Sequence, residues 1–121
     1  MCTAANYLSK DHYFGRNFDY EISYNEKVTI TPRNYPLSFK KEETIESHYA
    51  FIGITAGIDV YPLYYDASNE KGLSIAGLNF ADNAYYHEVD EEKINIAPFE
   101  LIPYLLAKCA NVDEALELLA D

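Results

Sequence analysis

Between Lys93 and Phe99 the hydrophobic period of this 121-residue chain changes, and that change limits the fold more than any other feature. Before it, β-branched and aromatic residues cluster in short runs broken by Asn, Asp, Gly and Pro, the pattern of strands joined by turns. Strands are expected near Thr3–Leu8, Tyr13–Asp19, Lys27–Thr31, Tyr49–Thr55, Leu63–Asp66 and Leu73–Asn79. Turn chemistry falls at Ser9-Lys10-Asp11, Pro32-Arg33-Asn34, Asn69-Glu70-Lys71-Gly72 and Ala81-Asp82-Asn83. After the acidic connector Glu88 to Lys93, Phe99, Ile102, Leu106 and Cys109 form one apolar stripe at helical spacing. Pro98 suits a first helical turn, and Pro103 either kinks this helix or marks its true start. A second helix is expected from Asn111, which with Glu114 resembles a capping box, and Ala115, Leu118 and Leu119 give it an apolar face. Strands followed by helices in one chain of this length predict an α+β class and one domain over residues 1–121.

Composition narrows the function. The chain is 49% hydrophobic and 15% aromatic, too apolar for a disordered tail, and no apolar run approaches the ~20 residues of a membrane-spanning helix. Nine Lys and Arg stand against 20 Asp and Glu, and the resulting charge of -11 repels phosphate backbones and anionic lipid, so neither nucleic acid nor a membrane is an expected partner. Two cysteines, Cys2 and Cys109, make neither a disulfide framework nor a four-ligand zinc site, and His12, His48 and His87 add no ligand spacing. No metal and no cofactor is expected. The start, Met1-Cys2-Thr3-Ala4-Ala5, has no basic region or apolar stretch of a secretory signal, which makes the cytoplasm the expected compartment.

Cys2 carries the most chemical information. A small second residue permits removal of the initiator methionine, and Cys2 would then hold a thiol and a free α-amine together. An α-amine has a reference pKa of about 7.7–8.0, so a share is unprotonated at neutral pH and can take the thiol proton within the same residue. A cysteine at the start of a strand can equally be an accident of composition. Arg16 and Asp19, three apart in a run that otherwise reads as a half-buried strand, add to the case. An arginine near a thiol favours the thiolate, and an aspartate near an ammonium or arginine fixes its position, although the two could also form a surface ion pair.

Five segments then occur in a particular order: Met1-Cys2-Thr3, Tyr13-Phe14-Gly15-Arg16-Asn17-Phe18-Asp19, Ile30-Thr31-Pro32-Arg33, Asn69 through Phe80 with Gly77-Leu78-Asn79 inside it, and Ala97-Pro98-Phe99-Glu100. Together, across the whole chain, they resemble the choloylglycine hydrolase family of conjugated bile salt hydrolases and penicillin V acylases. The resemblance implies an N-terminal nucleophile hydrolase with a four-layer αββα sandwich, cleaving an amide through a thioester acyl-enzyme. It implies Cys2 as nucleophile and, through its amine, base; Arg16 beside the thiolate; Asp19 orienting the amine; and Asn79 as an oxyanion-hole donor. Asparagine rather than an aromatic residue at Asn79 is similar to the bile-salt branch, so a conjugated bile salt is the implied small-molecule substrate and penicillin V the alternative. By the same similarity Tyr20, Ile22, Tyr24, Ile58 and Tyr61 would border an apolar substrate pocket.

Members of that family run to well over twice this length, so the chain is expected to be the N-terminal part of such a domain. Without the remaining strands and helices the sheets would expose edges and apolar faces, which favours a homo-oligomer or pairing with a complementary chain, and an inactive truncated fragment is a further alternative. The other candidates carry less. Asp59, Asp66 and Glu70 read as solvated loop acids, His12, His48 and His87 as surface or turn residues, Cys109 as a buried small hydrophobe, and Asp90-Glu91-Glu92 as a solvated connector.

Overall fold

The computed structural model describes residues 2–57, 61–79 and 82–120. Two antiparallel strands, β1 (Thr3–Leu8) and β2 (His12–Asn17), form a hairpin running from Thr3 opposite Asn17 to Leu8 opposite His12. A second sheet holds β3 (Lys27–Thr31), β4 (Phe51–Thr55), β5 (Tyr64–Asn69) and β6 (Ser74–Ala76) in sequential antiparallel order. A 3₁₀ turn at Pro98–Glu100 leads into α1 (Leu101–Lys108), followed by α2 (Val112–Leu119). The expected sheet-then-helix order holds. The last strand is shorter than the sequence suggested, because after Ala76 the chain leaves the ladder and the Gly77 carbonyl turns to the Arg16 side chain.

Pleating decides what each face of the four-stranded sheet touches. Phe51, Tyr64, Ala67 and Ile75 point to the helices and meet Ile102, Leu105 and Leu106 in one core, with Leu37 fully enclosed beside them. A β-bulge between Ile54 and Thr55 inserts Tyr65 into β5 and resets its alternation, so that Asp66 and Ser68, opposite Ile54 and Ile52, face the other way. The hairpin lies on that other face: Arg16 reaches Asp66 and Phe18 stacks on Tyr65 with centroids 4.5 Å apart. Helices, sheet and hairpin make the order α-β-β. Gly53 permits the bulge, since a Cβ there would lie 1.9 Å from the Asp66 carbonyl oxygen.

The helical stripe packs largely as its spacing predicts: Ile102, Leu106 and Cys109 are buried, while Phe99 is partly exposed. Pro103, fully buried, occupies the first turn of α1, where a missing N–H leaves no bond unmade. At α2 the Asn111 side chain accepts from the Glu114 N–H and the Glu114 carboxylate accepts from the Ala110 N–H. Ala115 of its apolar face is buried and Leu118 packs on the core, but Leu119 is 55% exposed. The hairpin side of the sheet is also only partly covered, with Val28, Ile30 and Ile52 exposed.

The β5–β6 turn ties three parts together. Asn69, 5% exposed, accepts the Lys71 and Leu73 N–H groups and donates to the carbonyls of Leu106 and Cys109 at the end of α1. Gly72 completes the turn at φ +94°, a value that favours glycine. Next to Asn69, the Glu70 carboxylate accepts from the Arg33 Nε–H at 2.9 Å and from the Ala50 N–H at 2.9 Å. The arginine bond and then the backbone bond hold its carboxyl down at about 2 from 4.5.

Two outcomes follow from this turn. Asn69→Ala should lower the unfolding free energy by about 2–4 kcal/mol in urea titrations, because four hydrogen bonds go and two buried carbonyls lose a donor. Glu70 has its folded-state value depressed, so its stabilisation is complete above 4.5 and is lost as pH falls toward about 2. The gap in melting temperature between the parent and Glu70→Gln should therefore be widest at neutral pH and close across that acid window.

Candidate active site

Register brings the N-terminal cysteine and Arg16 to one face. Ala4 pairs directly with Arg16, and Cys2, two residues before Ala4, lies on the same side of the pleat. Burial repeats this alternation: Cys2, Ala4, Phe14, Arg16 and Phe18 are half-buried, whereas Thr3, Ala5, Gly15 and Asn17 are exposed. Cys2 is a free thiol, and the Thr3 N–H beside it donates to Asn17 Oδ1 at 2.6 Å, fixing the chain where β1 begins.

Arg16 is the most constrained side chain of the group. Its side chain is 6% exposed, donates from Nη1 to Asp66 Oδ2 at 3.2 Å and from Nη2 to the Gly77 carbonyl at 3.0 Å, and lies with the guanidinium 4.9 Å from the Phe18 ring centroid. Its Nε–H is buried with no hydrogen-bond partner among the described residues. A cleft of about 300 Å³ opens between hairpin and sheet, lined in part by Phe14, Arg16, Phe18, Ile54 and Asp66.

The other expected site residues divide into those that gather here and those that do not. Asp19 follows Phe18 at the Cys2 end of the hairpin and is exposed. Asn79 is exposed two residues beyond Gly77, whose carbonyl receives Arg16. Tyr20 stacks on Phe18 at 4.8 Å and meets Tyr24 edge-on at 5.5 Å, while Ile22 between them is 63% exposed. The Tyr24 carbonyl accepts from the Gly57 N–H at 3.1 Å. Ile58 and Asp59 lie outside the described residues. Tyr61 is apart from Arg16: it packs edge-on to Phe99 at 5.8 Å, lines a separate cavity with Thr29, Thr31 and Tyr35, and burial raises its hydroxyl pKa.

Two expectations need correction. Asp66 is not a solvated loop acid, since it sits in β5 with a side chain 14% exposed against Arg16, and the bulge is what turns it inward. His48 is not a surface residue: it is 8% exposed, with Nδ1 2.7 Å from the Tyr49 carbonyl and Nε2 2.7 Å from the Tyr35 carbonyl, fastening the β3–β4 connection. Cys109 is buried as expected, and desolvation raises its thiol pKa. Among the described residues no group of three or more His, Cys, Asp or Glu is placed to hold a metal ion, and no helix is long and apolar enough to cross a membrane.

The comparisons agree with this arrangement. The chain is 66% identical over 114 residues to a bile salt hydrolase/transferase of Lactiplantibacillus plantarum, an overlap of 94% of this chain and 35% of that protein. It is 41% identical over 123 residues to a conjugated bile acid hydrolase of Lactobacillus gasseri, covering 97% of this chain and 39% of the relative. A crystal structure of a cysteine-to-alanine variant of the conjugated bile acid hydrolase from Clostridium perfringens superposes with a TM-score of 0.87 at 37% identity, covering 98% of this chain and 37% of the other. The chain thus spans between a third and two fifths of the length of these relatives. Residues 2–121 match the model of the linear amide C–N hydrolases, choloylglycine hydrolase family, so the chain belongs to the choloylglycine hydrolase family.

Proposed function

We propose that this chain is the N-terminal part of a hydrolase that splits glycine or taurine from conjugated bile salts, using Cys2 as an N-terminal nucleophile. The observation that carries the reading is the register of the hairpin, which puts Cys2 and the buried Arg16 on one face. With Met1 removed, the α-amine of Cys2 takes the thiol proton and the sulfur attacks the amide carbonyl carbon. The C–N bond breaks, the amine leaves with a proton, and a thioester to the bile acid remains until water hydrolyses it. Arg16 supplies positive charge beside the sulfur, Asp19 orients the amine, and Asn79 donates to the developing oxyanion. Phe18, Tyr20 and Tyr24 offer an aromatic wall to a rigid apolar body. The relatives from L. plantarum and L. gasseri are a bile salt hydrolase/transferase and a conjugated bile acid hydrolase, which supports bile salts over penicillin V.

A second reading concerns assembly. Val28, Ile30 and Ile52 are 66%, 67% and 48% exposed on the sheet face beside the Arg16 cleft. Such a patch favours coverage by further polypeptide, either the portion present in the relatives, a complementary chain, or a second copy. Catalysis then requires that coverage, and the 121 residues alone are an inactive piece of the domain.

Free glycine and taurine released from glycocholate and taurocholate are the readout, with penicillin V in parallel. The chain is assayed alone and mixed with a polypeptide carrying the remaining two thirds of the L. plantarum relative. Release that disappears in Cys2→Ala, and in a form whose N-terminus is blocked, is the expected result. Asn79→Ala should lower the rate by about 10²–10³. Release that survives either the Cys2 change or the block would overturn the mechanism, and faster turnover of penicillin V would overturn the substrate. A mass lower than the full sequence by one methionine is the accompanying expectation for the purified chain.

A further inference from the structure

We propose that Asp66 is a positioning residue that holds the Arg16 guanidinium at the nucleophile, an inference that rests on the reading of Arg16 given above. An arginine has a long, freely rotating stem, and burying its charge is costly unless fixed acceptors receive it. The Arg16 side chain is 6% exposed and has two such acceptors, the Asp66 carboxylate at 3.2 Å and the Gly77 carbonyl at 3.0 Å. Asp66 is the charged one of the two and sits on β5 rather than in a loop. Its backbone is fixed from both sides, paired with Ile54 on β4 and with Ala76 on β6. The Ile54/Thr55 bulge aims it at the hairpin, and the absence of a Cβ on Gly53 leaves room for that backbone.

The geometry also divides the donors of Arg16. Each terminal nitrogen makes one bond, Nη1 to Asp66 and Nη2 to the Gly77 carbonyl, and Phe18 covers the guanidinium from the hairpin. Nε–H remains buried and uncommitted among the described residues. Asp66 therefore anchors the far end of the guanidinium and leaves a donor of Arg16 for whatever occupies the cleft. Without the carboxylate, one fixed acceptor remains, and the charge swings toward water.

A positioning role and a purely compensating one predict opposite signs. If Asp66 only neutralised Arg16, its removal would strengthen the positive field at Cys2 and speed thiolate chemistry. If it positions Arg16, its removal slows that chemistry. The test is alkylation of Cys2 by iodoacetamide across pH, in the full chain with Met1 removed, with Cys2 and Cys109 resolved by peptide mass. Arg16→Leu should slow Cys2 and move its reaction to higher pH. Asp66→Ala should follow it, slower than the parent by about tenfold, and Asp66→Asn should be slowed by about 2–3-fold, because a neutral acceptor replaces a charged one. Buried Cys109 reports folding: if Asp66→Ala exposes it to alkylation, Asp66→Asn decides by the same sign. A Cys2 rate at or above the parent in a folded Asp66 variant, with Arg16→Leu slowed, overturns the role of Asp66 alone. No change in Arg16→Leu overturns the Arg16 reading and this inference together.

Discussion

The hairpin that carries the N-terminal cysteine is joined to the sheet through one buried guanidinium. Arg16 crosses from β2 to Asp66 and the Gly77 carbonyl, and the Phe18 ring packs beside it on Tyr65. A buried charge is tolerated only where fixed acceptors replace its water, so docking of the hairpin depends on the sheet that supplies them. The same bond that holds the two layers together thus sets where positive charge stands relative to Cys2. On the proposed reading, architecture and chemistry would share Arg16, and a change at Arg16 or Asp66 would be felt in both.

On the opposite face of the sheet a single turn performs the equivalent task. Asn69 meets α1 through two carbonyls, and its neighbour Glu70 receives Arg33 and the Ala50 N–H. The carbonyls at the end of a helix have no partner within the helix, and an amide from a neighbouring turn supplies one. Apolar packing of Phe51, Tyr64, Leu105 and Leu106 gives this layer its bulk, but the polar clasps set the register of helix on sheet.

What stays uncovered is as informative as what is buried. Val28, Ile30 and Ile52 lie exposed on the hairpin side, and Leu116 and Leu119 on α2. The chain matches 35% of the length of the L. plantarum relative, and exposed apolar surfaces of this kind favour coverage by further polypeptide. The cleft beside Arg16 borders the same uncovered sheet face.

Local chemistry determined much of this protein. Short clusters of β-branched and aromatic residues between turn residues gave β1 and β3 with their boundaries, the Asn69 to Gly72 turn and the Asn111–Glu114 cap depend on neighbours in sequence, and Arg16 and Asp19 stood out as charges in a run that otherwise reads as a half-buried strand. Asp66 and His48 did not. An aspartate between a tyrosine and an alanine reads as a surface acid until a bulge in its own strand turns it inward, and a histidine in a long connection reads as solvated until the Tyr35 carbonyl, 13 residues away, and the neighbouring Tyr49 carbonyl close on its ring. Likewise the sequence offered Tyr20, Tyr24 and Tyr61 on equal terms, and only tertiary packing put the first two beside Phe18 and the third against Phe99. Periodicity and capping are properties of residues a few positions apart, so the sequence alone determined the elements. Which side chains face one another across 50 residues, as Arg16 and Asp66 do, is set by pleat, bulge and layer order, and those exist only once the sheet has formed.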